Sequence, residues 1–414
     1  VICVSVPELR TIDTMILMNS QIIWGTGDGV SAFKMRLCGN AKYTEISGHP
    51  ATEGQTLMSA PIKETEIWDA AEYDMIIDVR APVEFADDHI PGAINLPVLS
   101  NEERVIIGTL YKQESPFIAR KKGAALVARN IATHIDTVLH DKPTDFTPLI
   151  HCWRGGQRSH SFAQICSAIG WRSYVLKGGY KFYRRAVLAQ LQTLPPTLNL
   201  IIIAGRTGSR KTDILTALAA KGAQVLDLER LASHRGSLLG RVADTPQPSQ
   251  RMFETAVNAE LERFDQTKPV FVESESSRIG NVQLPAELWK QMTKAPQIPI
   301  SAPREARAQY LLKGYAHLTE DITDLDKLIA GMTRRHGHER TSHWRSLIDA
   351  NAWGELAYEL LEAHYDPAYD TTLQRHQRPV LGEVTQTDCS DEALAKTVDA
   401  ILNIQNASPL SHVG

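Results

Sequence analysis

Short apolar runs alternate with amphipathic stretches through most of this chain. Met75-Ile76-Ile77-Asp78-Val79, Pro148-Leu149-Ile150 and Ser173 to Leu176 predict strands, as do Leu198 to Ala204, Gln224 to Leu226 and Pro269 to Val272. Between them, Phe162, Ile165, Cys166 and Ile169 recur at helical spacing, and so do Ile214, Leu215, Leu218 and Ala219. Strands alternating with helices predict an α/β fold with parallel sheets, whose sites form at the carboxyl ends of the strands. The expected organisation is an extension over 1–57, a small parallel-sheet domain over 58–194, and a P-loop-like α/β domain over 195–370. That second domain ends in a helical part from about Pro303 to Tyr365, and an irregular, loosely held tail follows over 371–414. The apolar run Ile12 to Ile23 has no clean period, whereas a well-patterned segment follows Met58. The extension is therefore expected to be dispensable.

One candidate for chemistry is His151-Cys152-Trp153-Arg154-Gly155-Gly156-Gln157-Arg158-Ser159, where a strand ends and a helix begins with Ser159 or Ser161 as its N-cap. Gly155 and Gly156 allow the backbone to curl so that several N–H groups point at one spot. The helix N-terminus, Arg154 and Arg158 all favour the thiolate, and Gln157 completes the loop. This pattern predicts a nucleophilic Cys152 in an anion-binding cradle. The plainer alternative is a structural cysteine buried at a strand end.

A second candidate is Gly205-Arg206-Thr207-Gly208-Ser209-Arg210-Lys211-Thr212, between an apolar strand and a helix. In that context the N–H groups of Gly205, Thr207, Gly208 and Ser209 would hold a diphosphate. Lys211 would neutralise it, and Thr212 could ligate Mg2+. Arg210 stands where a P-loop has glycine, so its side chain would either crowd the phosphates or add a charge. Nearby polar clusters supply Asp227, Glu229, His234 and Arg235 after one strand, and Glu275 and Arg278 after another (Glu273-Ser274-Glu275-Ser276-Ser277-Arg278). These suit acid–base or magnesium chemistry, or else are solvated loops. A basic run (Arg334, Arg335, His336, His338, Arg340, His343, Arg345) reads either as a solvated helix face or as an RNA-backbone contact.

Bulk properties narrow this little. A net charge of −4 leaves no global basic field, so any nucleic-acid contact must be local. Five scattered cysteines without a CxxC pair argue against a disulfide framework or zinc site and for the cytoplasm. No apolar run is long enough to span a membrane.

DVRAPVEFADDHIPGAINLP, the cysteine loop and LKGGY together resemble a rhodanese domain. Such domains pass sulfur or selenium through a cysteine, and Asp78 and Arg80 would be the fold-supporting pair. HCWRGGQRS alone also satisfies the tyrosine-phosphatase pattern, with one residue more before the arginine than ordinary rhodaneses have. The longer loop would suit a tetrahedral oxyanion such as selenophosphate. With the P-loop, DLERLASHRGS and ESESSRIG following in this order, the chain resembles the tRNA 2-selenouridine synthase family over roughly Asp69 to Val380. That resemblance implies S-geranylation of a wobble 2-thiouridine by geranyl diphosphate. Displacement of the geranylthio group by selenium from selenophosphate would follow, with selenium carried on Cys152 or only positioned there. It also implies tRNA as partner and a selenophosphate synthase as source of the donor. The Arg210 departure bears on the geranyl step. Two alternatives remain beside this: a sulfurtransferase fused to an ATP-dependent P-loop kinase, and a non-catalytic tRNA-binding relic.

Overall fold

In the computed structural model the described residues are 17–18, 21–22, 59–234, 245–314, 322–375 and 377–407. Leu17–Met18 and Gln21–Ile22 pair as a short antiparallel ribbon. From Met58 onward the chain forms one compact unit built on two parallel sheets.

The first sheet comprises β1 (Lys63–Thr65), β2 (Met75–Asp78), β3 (Ile94–Asn95), β4 (Pro148–His151) and β5 (Tyr174–Leu176), in the order β1-β5-β4-β2-β3. Strand alternation divides its apolar side chains between two cores. Ile77, Ile150 and Val175 pack with Ile131, Phe162 and Cys166 on one face. Ile76, Leu149 and Leu176 face the other way, toward the second domain. β4 is central and wholly buried, which fixes Cys152 at the middle of the sheet's carboxyl edge. Between β3 and β4 the chain makes a hairpin of two helices, Asn101–Gln113 and Pro116–Thr137.

The second sheet comprises β6 (Asn199–Gly205), β7 (Gln224–Leu226), β8 (Pro269–Glu273), β9 (Gln297–Ser301) and β10 (Val384–Thr385), in the order β10-β9-β6-β8-β7. Its isoleucine-rich strand β6 is central, so the glycine loop opens between neighbours at the carboxyl edge. Helices Arg304–Gly314, Thr323–His336, His338–Asp349, Trp353–Leu360 and Asp366–Arg375 follow, three of them (Thr323–His336, His338–Asp349 and Trp353–Leu360) enclosing a core around Ile329, Met332 and Trp344.

The segment expected to be an irregular tail is ordered in its described part. β10 joins the sheet beside β9, and helix Asp391–Ala407 buries Val398 and Ile401 against Ile214, Leu215 and Leu218. Leu394, Val398 and Ile401 recur at helical spacing, so the signal was present beneath the polar composition.

The two domains share a core. Tyr180, Tyr183, Val187 and Leu191 of helix Gly179–Thr193 pack with Phe253, Val257 and Leu261 of helix Gln250–Arg263. A buried polar chain threads the joint. Asp78 holds Arg80 through contacts of 2.5–3.0 Å, and Arg80 Nη2 donates to the Asp88 carbonyl at 2.6 Å. The Asp88 carboxylate accepts from Tyr180 Oη (2.7 Å) and, across the joint, from Thr255 Oγ1 (3.0 Å). Arg251 meets Asp87 at 2.6 Å, and Arg184 pairs with Glu254. Asp78 and Arg80 thus have the structural role expected of them.

Candidate functional site

Cys152 follows β4 directly, and its loop closes into helix Gln157–Ile169. The helix is capped by Gly156, not by Ser159 or Ser161, because the glycine-rich turn enters the helix three residues before the first of those serines. Ser159 lies inside the first turn, buried, and its hydroxyl reaches Cys152 Sγ at 3.4 Å while the Gly156 N–H reaches it at 3.3 Å. Burial pushes the Cys152 thiol pKa up. The Ser159 hydroxyl, the N–H groups of Arg154 and Ser159, and the Arg158 charge outweigh that effect and leave it below the ordinary value of 9.0. Cys166, on the same helix, is pushed up to about 12 by burial and is chemically inert.

This difference is measurable. Alkylation of Cys152 should reach half its limiting rate below the pH of a free thiol, because a lowered pKa enlarges the thiolate population at neutral pH. Ser159→Ala should move that midpoint upward, and Cys166 should stay unmodified. A Cys152 profile coinciding with that of a free thiol would remove the activated-thiolate reading.

LKGGY has a mechanical role beneath this loop. The N–H groups of Tyr180 and Lys181 donate to the carbonyls of Cys152 and Trp153 at 2.9 and 3.0 Å. Gly179 (φ +58°) leaves no room for a side chain: a Cβ would lie 2.5 Å from the Gly155 nitrogen and press on the Cys152 carbonyl. A Cβ on Gly155 (φ +65°) would in turn sit 2.6 Å from the Leu176 carbonyl. Gly179→Ala should therefore cost about 2–4 kcal/mol in urea denaturation, from overpacking plus left-handed backbone strain. Retention of wild-type stability and wild-type Cys152 reactivity would contradict this packing.

Arg154, Gly156 and Gln157 are exposed around the loop. Arg158 is tied to Glu84, Nη1 to Oε2 at 3.0 Å, and the same carboxylate oxygen lies 3.5 Å from Arg104. An incoming anion must compete with Glu84 for Arg158, a partner the sequence did not reveal. His151 is fully buried beside Asp78 (3.9 Å), and burial lowers its pKa.

At the glycine loop, Arg210 adopts φ +60°, the left-handed conformation that glycine accepts freely. Its guanidinium neither crowds the loop nor adds an uncommitted charge. It reaches Asp213 (2.7 Å), the Cys389 carbonyl (2.9 Å) and Asp391 (2.9 Å). These contacts offset a strain of about 1–2 kcal/mol and bind the loop to the C-terminal helix. Lys211 Nζ lies 2.9 Å from the Gly205 carbonyl at the loop's start, and Ser209 Oγ donates to Arg206 O at 2.8 Å. Behind the loop, buried Arg307 donates to Thr207 O (3.0 Å) and pairs twice with Asp366 at 2.9 Å.

Beside Lys211, Thr212 Oγ1 donates to Glu229 Oε2 at 2.9 Å, and the Glu229 N–H donates to Glu273 Oε1 at 2.7 Å. Glu273 is buried, and its Oε2 has no hydrogen-bond partner. Burial, together with the charges of Asp227, Glu229 and Glu275, raises its pKa well above the carboxylate range. Burial and the Glu229 charge bring Glu275 to about 8, with Lys211 opposing. Asp227, raised by burial, accepts from the Arg230 N–H at 2.8 Å. Lys211, Thr212, Asp227, Glu229 and Glu275 thus converge, joined by Glu273, which the strand-end motif contained but did not distinguish. His234 is buried, its N–H donating to Glu229 O at 3.0 Å. Arg278 is exposed and donates to Gly280 O of its own hairpin. Arg235 lies outside the described residues. Among the described residues no three His, Cys, Asp or Glu side chains are placed to hold a metal ion by themselves.

In the basic run, Arg334, Arg335, Arg340 and Arg345 are exposed. His336 Nε2 lies 2.9 Å from His364 Nδ1, and His343 pairs with Glu359 at 2.9 Å. No helix among the described residues is long and apolar enough to cross a membrane.

Two family models match the chain: a rhodanese-like domain over residues 64–186, and a tRNA 2-selenouridine synthase AAA domain over residues 198–399. The tRNA 2-selenouridine synthase of Sulfurovum sp. is 32% identical over 348 residues, covering 74% of this chain and 90% of that one. That of Shewanella denitrificans is 31% identical over 338 residues, with the same shares covered. That of Nitrosomonas europaea is 36% identical over 248 residues, 58% of this chain and 63% of its own.

Proposed function

The chain belongs to the tRNA 2-selenouridine synthase family, and from this premise we propose that it converts a wobble 2-thiouridine in tRNA to 2-selenouridine through an S-geranylated intermediate. The observation that carries the proposal is the presence, in one compact unit, of two different glycine-rich strand–turn–helix loops, one with a thiol of lowered pKa and one without a cysteine.

The glycine loop serves the first step. The thiocarbonyl sulfur attacks the allylic carbon of geranyl diphosphate, the carbon–oxygen bond breaks, and pyrophosphate departs. Lys211, now on the Gly205 carbonyl, would turn to the diphosphate and stabilise the charge that develops on it. The Thr212 hydroxyl, the Glu229 carboxylate and the side-chain oxygens of Glu273 would offer hard donors to Mg2+, and a cation there would favour the charged form of Glu273 that burial now disfavours. A Mg2+ held there would supply further positive charge at the leaving group. Glu273 Oε2, buried without a partner, supports that fit.

Alkylation converts a poor leaving group into a good one, and the cysteine loop serves the second step. The loop N–H groups, Arg154 and Arg158 would hold the phosphate of selenophosphate. Selenium is equally reduced in selenophosphate and in the product, so transfer requires no oxidant. Attack of the Cys152 thiolate on phosphorus balances: a sulfur–phosphorus bond forms, the phosphorus–selenium bond breaks and hydrogen selenide is released, after which water cleaves the sulfur–phosphorus bond to give phosphate and the free thiol. Hydrogen selenide then adds at C2 and expels geranylthiolate. A selenosulfide on Cys152 would instead need a change of oxidation state. The phosphatase-like spacing from Cys152 to Arg158 supports attack on phosphorus.

Mass spectrometry of wobble nucleosides tests the whole reading. In cells lacking their own synthase, expression of this protein should restore 2-selenouridine when selenium is supplied. Unchanged 2-thiouridine, with ATP turnover by the purified protein, would favour the sulfurtransferase–kinase alternative.

A further inference from the structure

The helical hairpin between β3 and β4 is rooted beside the cysteine loop, Glu84 reaching Arg104 at its base and Arg158 of the loop. Its base is fixed where the strands end: Asn130 Nδ2 donates to Val98 O (3.1 Å) and Glu103 Oε2 (2.8 Å), and His134 Nε2 lies 2.9 Å from Pro97 O. Beyond Asn130 the second helix descends toward Pro148, at the amino end of β4, so its other end points past the carboxyl edge. From Asn130 back to Pro116 the helix rises roughly 20 Å.

The tip is unusual in composition. The Ser115 N–H donates to Leu110 O at 3.1 Å, and around that turn Tyr111 is 57% exposed and Phe117 is 68% exposed. Lys112, Arg120, Lys121 and Lys122 are exposed among them and make no ion pair among the described residues. From Tyr111 to Lys122 the only carboxylate is Glu114. Large aromatic surfaces left in water mark a binding site. Pairing with a second copy would set these cations against their equals. Aromatic rings interleaved with cations suit unpaired nucleotides, whose bases stack and whose phosphates need neutralising.

We infer that this tip docks the unpaired nucleotides flanking the target base of the RNA. Tyr111 and Phe117 stack on bases, while Lys112, Arg120, Lys121 and Lys122 hold phosphates. The inference rests on the tRNA reading above. A base delivered to Cys152 leaves its flanking nucleotides at the height of the hairpin.

The test is fluorescence anisotropy of the full chain with two labelled RNAs, an anticodon stem-loop carrying 2-thiouridine and a fully paired duplex. Tyr111→Ala with Phe117→Ala should weaken stem-loop binding by roughly 30-fold or more and leave duplex binding unchanged. Replacing the four cations by glutamine should reduce the slope of log K against log salt by about 3. Cys152 alkylation at the wild-type rate verifies that the variants are folded. Wild-type affinity and slope in both variants would overturn the inference while leaving the tRNA reading intact. A wild-type protein that binds no stem-loop would remove both. Sedimentation showing a dimer that the aromatic substitutions dissociate, with RNA binding unaltered, would assign the tip to self-association and overturn the inference.

Discussion

Cys152→Ala is expected to abolish selenium incorporation, by more than about a thousandfold, while the geranylated nucleoside accumulates. In the proposed sequence the two steps would use different turns of the chain, so loss of the thiol would leave the glycine loop and its leaving-group chemistry intact. Removing one buried sulfur should cost only about 1 kcal/mol of stability, so unfolding would not explain the loss. Cys166→Ala is the matched control. Its thiol is equally buried and pushed up to about 12, so product formation should continue. Nucleoside mass spectrometry reads both variants at once. Continued 2-selenouridine synthesis by Cys152→Ala would show that the cradle binds its anion without using the sulfur.

Lys211→Ala should stop the sequence one step earlier, leaving 2-thiouridine and lowering the geranylation rate about 10²- to 10³-fold. Lys211 begins the helix behind the glycine loop, and its ammonium now rests on the Gly205 carbonyl, where a diphosphate would draw it away. Because the proposed role of Lys211 is to stabilise charge on the leaving group, the loss should fall on kcat more than on the affinity for tRNA. Synthetic S-geranylated RNA should bypass the defect, and Lys211→Ala should convert it to the seleno product at the wild-type rate. Failure of that bypass would mean that Lys211 also supports the second step.

Both candidate turns were legible in the sequence because each is local. An apolar strand, a glycine-containing loop and an amphipathic helix follow one another within about twenty residues. What was not legible depends on contacts made at long range. Glu84 as partner of Arg158, Arg307 and Asp366 behind the glycine loop, and Asp88 at the domain joint carry no local mark. Arg210 is the instructive case. Pattern reasoning saw a missing glycine, but besides the local Asp213 two of the acceptors that hold its side chain lie at Cys389 and Asp391, in a segment expected to be irregular. The N-cap of the cysteine helix was misplaced for a different reason. Ser159 has a hydroxyl suited to capping, but that hydroxyl is directed at the sulfur.

The shared core between the sheets has one more consequence. A hinge at this joint would expose Phe253 and Tyr183 and strip the buried Asp88 carboxylate of Thr255. The cost of those losses makes large relative motion of the domains unfavourable. On the proposed two-step reading the protein would be the fixed part of its own machine, and the RNA would have to travel from one turn to the other. A geranylated tRNA in transit would be open to escape, and its abundance in the free tRNA pool would report how tightly the journey is supervised.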